Sequence, residues 1–347
     1  MANIFTRSPH IVEINVAGQV ETKIELYLWN TGAMPSAPQY ILSKLIPATN
    51  APATYYDLSP YISEFIDHNN LQTQPTSTAA TPTNQYVNYL YRKYRRIANT
   101  FAQVGSDVSG LGFDGFGYYA QGSNPVLSDV FADENDYYYN PINNVGWFTA
   151  YTGGNVAKVK YVNLSTAAAQ TVTLSTNTVR DVRRVYSGWE AQGNRVDFLD
   201  ASNISLWTSY VYPKTECKYT PVQIDFVNKY GAWQREWFFK ASYDTLNVEN
   251  TEYNLMQSTF PNYLLTEGQR EVFNTNGKQT IRVNTDWVNE NFKETIKQLM
   301  LSEKILVNET AAKLNTKSMD LKKSINNKLI NYEMEFEFAY DVINSVM

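Results

Sequence analysis

Residues Cys217 to Tyr243 read CKYTPVQIDFVNKYGAWQREWFFKASY. Val222, Ile224 and Phe226 are spaced by two, so they share one face of a strand, with Gln223 and Asp225 on the other. Asn228 to Gly231 is a turn signal, because glycine enters positive φ at little cost. Trp233, Arg235, Trp237 and Phe239 then take one face, and Gln234, Glu236 and Phe238 the other. Two such runs joined by four residues with a late glycine predict a β-hairpin. Its rings read as sheet core rather than as a ligand platform, since buried aromatics dominate core energetics.

The same alternation recurs along the chain. Strands are expected over His10 to Val16, around Ile24, Leu26 and Leu28, and over Gln39 to Ile46. Ser59-Pro60 reads as an N-cap followed by proline at the first helical position, with Tyr61, Ile62, Phe65 and Ile66 at helical spacing. Further strands are expected around Val87, Tyr89 and Tyr91, and over Val156 to Asn163, Thr171 to Ser175, Val179 to Tyr186, Arg195 to Leu199 and Ile204 to Tyr212. Asn276-Gly277 is a strong two-residue hairpin signal. Phe292, Ile296, Leu299 and Met300 mark an amphipathic helix over Val288 to Ser302. The closing strand alternates Tyr332, Met334, Phe336 and Phe338 with Glu333, Glu335 and Glu337, which gives it an acidic outer face.

Together these elements predict a mainly β protein of two or three small β-sandwich-like domains with a few short helices. The expected division is residues 1–68 with one short helix, a polar linker or long loop over 69–84, a Tyr-, Gly- and Asn-rich β domain over 85–212, and a C-terminal β domain with one helix over 213–347. A chain of 347 residues with 26 Tyr and 7 Trp can bury a sizeable core.

Composition excludes several functions. The net charge of −5 lacks the basic footprint of a nucleic-acid binder. One cysteine, Cys217, rules out an intrachain disulfide framework and a multi-cysteine metal cluster. No stretch is long and apolar enough for a signal peptide or a transmembrane helix, so no membrane insertion is expected.

The motifs are weak as chemistry. Gly110-Leu-Gly112-Phe-Asp-Gly115 matches GxGxxG, but Gly117, Gly122 and Pro125 oppose the helix a nucleotide site needs, so the stretch reads as a Gly-rich loop. Asp129, Asp133, Glu134 and Asp136 lack EF-hand spacing, and read as a solvated loop beside an aromatic strand. Asp133 and Asp136 are the residues a glycan-cleaving acid–base pair would use. Tyr91 to Arg96 interleaves bases with aromatics; it reads as a strand face that snorkels over the sheet or meets an acidic neighbour, of which the Glu333, Glu335, Glu337 ladder is one candidate. His10 and His68 are the only histidines, no GxSxG elbow is present, and Cys217 has no nearby histidine. No catalytic residue, cofactor site or metal site is expected.

The segments ECKYTPVQIDFVNKYGAWQREWFFKAS, EGQREVFNTNGKQTI, NENFKETIKQLMLSEKILV and NYEMEFEFAYDVINSV, with YYDLSPYISEFI near the N-terminus, resemble virion structural proteins of tailed bacteriophages in texture and order. The likeness spans about half the chain and leaves out Gln85 to Tyr212. It implies a non-enzymatic subunit of the tail, baseplate or neck, assembled in the host cytoplasm. The partners implied are other copies of the chain and other virion proteins. The alternative is a carbohydrate-binding receptor module that takes a host-surface glycan. Candidate ligand or interface residues are Tyr118, Tyr119, Tyr137, Tyr138 and Trp147 as stacking rings, and Glu333, Glu335 and Glu337 as an acidic ladder.

Overall fold

The structure is a computed structural model. It describes residues 3–47, 53–68, 79–80, 85–120, 122–125, 130–132, 136–141, 148–151, 154–174, 182–185, 192–256, 261–262, 264–266, 268–320 and 330–343. Strands take 52% of the chain and helix 6%, so the protein is mainly β with several sheets. It forms two compact units, residues 1–214 with 227–235, and residues 215–226 with 236–347.

In the first unit a six-stranded sheet runs in the order Ile4–Phe5, Val108–Phe113, Tyr86–Ile97, Glu21–Trp29, Tyr40–Leu45, with Thr100–Gln103 paired to Tyr86–Ile97. Glu21–Trp29 alternates as the sequence predicts up to Leu26: Ile24, Leu26 and Leu28 are buried and Lys23, Glu25 and Trp29 half-buried, while Tyr27 is buried as well. A two-stranded sheet of Ile11–Ile14 and Thr54–Asp57 contributes Val12, Ile14 and Tyr56 to the same core. The Thr22 hydroxyl in that core bonds the Thr54 and Tyr56 hydroxyls at 2.8 and 2.7 Å, so its buried polar atom is satisfied. A five-stranded sheet follows in the order Asp136–Tyr139, Ser205–Pro213, Asn194–Leu199, Lys158–Asn163, Ala169–Thr173, and a three-stranded one joins Phe148–Tyr151, Val182–Val185 and Ala79–Ala80.

The division into domains differs from the expected one. Tyr86–Ile97 pairs along its length with Glu21–Trp29, from Asn88 opposite Trp29 to Arg96 opposite Glu21. Segments on both sides of residues 69–84 therefore build one sheet and one core, and a boundary at 85 would cut through it. Within the expected linker, Ala79–Ala80 pairs with Arg183 and Arg184; its other residues lie outside the described ones.

The short helix spans Ser59–Ser63, but Ser59 is not its cap. Leu58 holds the N-cap position without a side-chain bond, and Asp57 before it accepts at Oδ1 from the Ser59 amide at 3.1 Å and the His10 amide at 3.0 Å. Gly110 to Phe113 lies in a strand rather than a Gly-rich loop. A Cβ on Gly112 would fall 2.3 Å from Ile62 Cγ2, so the glycine lets the helix rest on the strand backbone.

A seven-stranded sheet, most of whose strands belong to the second unit, runs Trp233–Phe238, Val222–Val227, Ile305–Val307, Thr310–Leu314, Glu333–Asp341, Arg270–Asn284, Tyr243–Asn254. The opening hairpin forms as predicted, with Gly231 at φ +80°. Asn228 Oδ1 fixes the turn by accepting from the Tyr230 and Ala232 amides at 3.0 and 3.2 Å. Trp233 and Trp237 are both buried, which agrees with the core reading; so are Asp225 and Glu236, so the hairpin buries both faces. The helix Lys293–Met300 follows a 3₁₀ turn at Glu290–Phe292, whose N-cap Asn289 accepts from the Phe292 amide. It packs Ile296 and Leu299 against Phe226, Val283, Met334 and Phe336.

Asn276-Gly277 is not a hairpin turn. It lies inside the 15-residue strand Arg270–Asn284, which pairs with Tyr243–Asn254. A Cβ on Gly277 would fall 2.8 Å from Cδ1 of the exposed Leu246, a side-chain tip that can turn away.

Candidate interaction surfaces

The strand pair Tyr243–Asn254 and Arg270–Asn284 is the most exposed element of the second unit. All twelve residues of Tyr243–Asn254 are exposed. Glu333–Asp341 pairs with Arg270–Asn284 only from Lys278 to Asn284. Val342 and Ile343 close that third strand by donating their amides to the Gly277 carbonyl at 2.8 Å and Asn276 Oδ1 at 3.1 Å. Arg270 to Thr275 therefore continues as a two-stranded ribbon, about 20 Å long at 3.4 Å per residue.

The ribbon carries large apolar side chains in water. Phe273 is 75% exposed, Met256 93% and Leu265 95%, and Tyr253, Leu255, Leu264 and Val272 are exposed too. At roughly 200 Å² per large side chain, these seven expose on the order of 900 Å². One partner of a standard interface contributes about 800 Å². A two-stranded ribbon without a core is also marginal in water. Sequence reading missed this element because YDTLNVENTEYN shows no alternation. The signal was there in Leu255, Met256, Leu264 and Leu265, apolar residues where a hairpin end is normally polar.

In the first unit the structure gathers a different set of rings from the expected one. Asp136–Tyr139 runs parallel to Ser205–Pro213, with Tyr138 opposite Tyr212 and Asp136 opposite Tyr210. Tyr138 and Tyr212 have ring centroids 5.8 Å apart; Tyr210 and Tyr212 stack at 6.2 Å with planes 6° apart. Lys214 Nζ lies 5.6 Å from the Tyr138 centroid. Arg195 stands opposite Tyr210 and Asp197 opposite Thr208, so these polar groups share the tyrosine face. Arg195 pairs with Asp197 at 3.0 Å, and the Thr208 hydroxyl donates to Asp197 at 2.8 Å. Burial, and then the nearby Asp136 carboxylate, push the Tyr212 hydroxyl above its ordinary pKa.

Of the candidate rings, Tyr138 belongs to this face, whereas Tyr137 alternates to the other side of its strand. Tyr118 is 87% exposed and Tyr119 half-buried on a separate loop. Trp147, Asp129, Asp133 and Glu134 lie outside the described residues. Tyr210 and Tyr212, which complete the stack, were read only as strand residues.

The acidic ladder is matched within its own sheet. Arg282 lies 3.6 Å from Glu333, Lys313 2.7 Å from Glu337, and Asn315 Nδ2 donates to Glu335 at 3.2 Å. The Lys313 hydrogen bond holds the Glu337 carboxyl below its ordinary pKa. Two cations of the basic run, Arg92 and Arg96, meet acids of the same unit. Arg92 pairs with Asp107 at 2.9 Å, Arg96 with Glu21 at 2.7 Å, and Arg92 also covers the Tyr27 ring. Among the described residues no group of three or more His, Cys, Asp or Glu could hold a metal ion, and no helix is long and apolar enough to cross a membrane.

A scan against protein-family models finds no matching family, and a search of curated proteins finds no matching sequence.

Proposed function

We propose that this chain is a non-enzymatic structural subunit that works by gripping neighbouring protein chains, with the ribbon of Tyr243–Asn254 and Arg270–Asn284 as the gripping element. The observation that carries this reading is the ribbon's apolar surface, exposed without a core of its own. The resemblance to tail, baseplate and neck proteins of tailed phages supplies the setting: a virion assembled in a host cytoplasm, with copies of the chain and other virion proteins as neighbours. Replacing residues 255–269 with a short Gly-Ser turn tests it. The shortened chain is expected to stay folded and to lose assembly; assembly at unchanged concentration would refute the role given to the ribbon.

The tyrosine face favours a second reading, in which the middle sheet stacks on a host-surface glycan. Three clustered rings bordered by Asp136 and Arg195 offer both apolar and hydrogen-bonding contacts to a sugar. A screen of soluble oligosaccharides at millimolar concentration, read by ligand-observed NMR, is its test. Saturation transfer that vanishes in Tyr212→Ala supports it, and no transfer from any sugar rejects it.

A further inference from the structure

Resting on the assembly reading, we infer that the ribbon's partner is a second copy of this chain, whose Tyr40–Leu45 edge strand accepts the open edge of Tyr243–Asn254 by strand addition. Both strands end their sheets, so each presents an unpaired row of backbone donors and acceptors among the described residues. Natural edges are usually blunted by shortness, charge, proline or bulges. Tyr243–Asn254 is twelve residues long and holds Leu246 and Val248 in solvent, at 55% and 53% exposure. Tyr40–Leu45 holds out Ile41 and Leu45 at 59% and 71%.

The remaining edges are poorer acceptors: Ile11–Ile14, Thr54–Asp57, Thr100–Gln103 and Phe148–Tyr151 have four residues each, and Ala79–Ala80 two. Ile4–Phe5 has two residues. Ala169–Thr173 reads AQTVT and exposes no large apolar side chain. Trp233–Phe238 buries most of its residues, and Asp136–Tyr139 has four residues.

Charge selects the same pairing. Asp244 and Glu252 on the donor strand have no cationic partner among the described residues. The acceptor strand Tyr40–Leu45 carries Lys44 and no acid, against Asp244, Glu249 and Glu252 and no base on the donor, so the two strands are opposite in net charge. Pairing two donor strands with each other would instead set acidic edges side by side, which is destabilising. The contact is therefore head-to-tail, each copy giving its ribbon to the next. Such contacts build rings when they close and filaments when they do not.

Cysteine pairs in the full-length chain test this. Cys217, exposed and free, is first replaced by serine. Ile41→Cys or Leu45→Cys is then combined with Leu246→Cys or Val248→Cys, and the four double variants are oxidised mildly. Directly opposed strand positions approach to about 5 Å between Cβ atoms, close to disulfide reach. At least one double variant is expected to give a ladder of linked dimers, trimers and higher species, with each single variant unlinked. Assembly without any linkage overturns the Tyr40–Leu45 acceptor while leaving the assembly reading intact. Dimers from Val248→Cys or Leu246→Cys alone overturn it in favour of ribbon-to-ribbon pairing. A chain that stays monomeric before oxidation overturns both.

Discussion

Placing a charge on the ribbon should separate assembly from folding. Phe273 and Leu265 are 75% and 95% exposed, so Phe273→Asp and Leu265→Asp remove nothing that the folded chain has buried. Surface changes of that kind usually stay within about 0.5 kcal/mol of the parent's stability. In an assembled neighbour contact the same side chains leave water, which contributes about 1.5–3 kcal/mol each. An unpaired carboxylate in their place adds a further penalty for desolvation. Each substitution should therefore weaken assembly by at least about 2 kcal/mol, or roughly thirtyfold in dissociation constant. Sedimentation velocity over a concentration series gives the constant, and thermal unfolding of the dilute chain gives the stability. Unchanged assembly would refute the role given to the ribbon. A large loss of thermal stability in the dilute chain would show that these residues are core, and would refute the reasoning in another way.

Three further outcomes follow from the interior. Phe336→Ala empties a site fully buried between the helix Lys293–Met300 and the sheet, and should lower stability by about 3–5 kcal/mol in denaturant unfolding; a loss under 1 kcal/mol would contradict the packing described. Gly231→Ala must take φ +80° and bring a Cβ within 2.6 Å of the Asp114 amide nitrogen, so its melting temperature should fall well below that of the parent. Burial holds His10 below its ordinary pKa, although Asp57 acts the other way. The unfolded chain then binds a proton that the folded chain resists, so His10's contribution is intact above about pH 6.5 and is lost as pH falls below it. His10→Asn should shrink the drop in melting temperature between pH 7.5 and pH 5.5, and an unchanged drop would contradict this assignment.

Local pattern carried much of the fold. The period-two spacing of Val222 to Phe226 and of Tyr332 to Phe338 located strands whose inward residues are buried, because side-chain alternation is a property of the strand itself. What pattern could not give was pairing between distant segments. Tyr27 and Arg92 touch across 65 positions in sequence, and no propensity in residues 69–84 announces that the chain returns to the sheet it left. The same gap hid Tyr210 and Tyr212 from Tyr138, since a parallel pairing joins them. Asn276-Gly277 failed for a different reason: its turn propensity is real, but continuous pairing with Tyr243–Asn254 outweighs it. The ribbon was illegible because exposed strands obey no burial period, and only its misplaced apolar residues betray it.

The most direct measurement is the mass of the purified full-length chain in dilute solution, by mass photometry from nanomolar to micromolar concentration. A discrete species at an integer multiple of the chain mass is expected, growing with concentration and absent when residues 255–269 are replaced. A single monomeric species across that range, up to concentrations at which sedimentation velocity also shows only monomer, would contradict it.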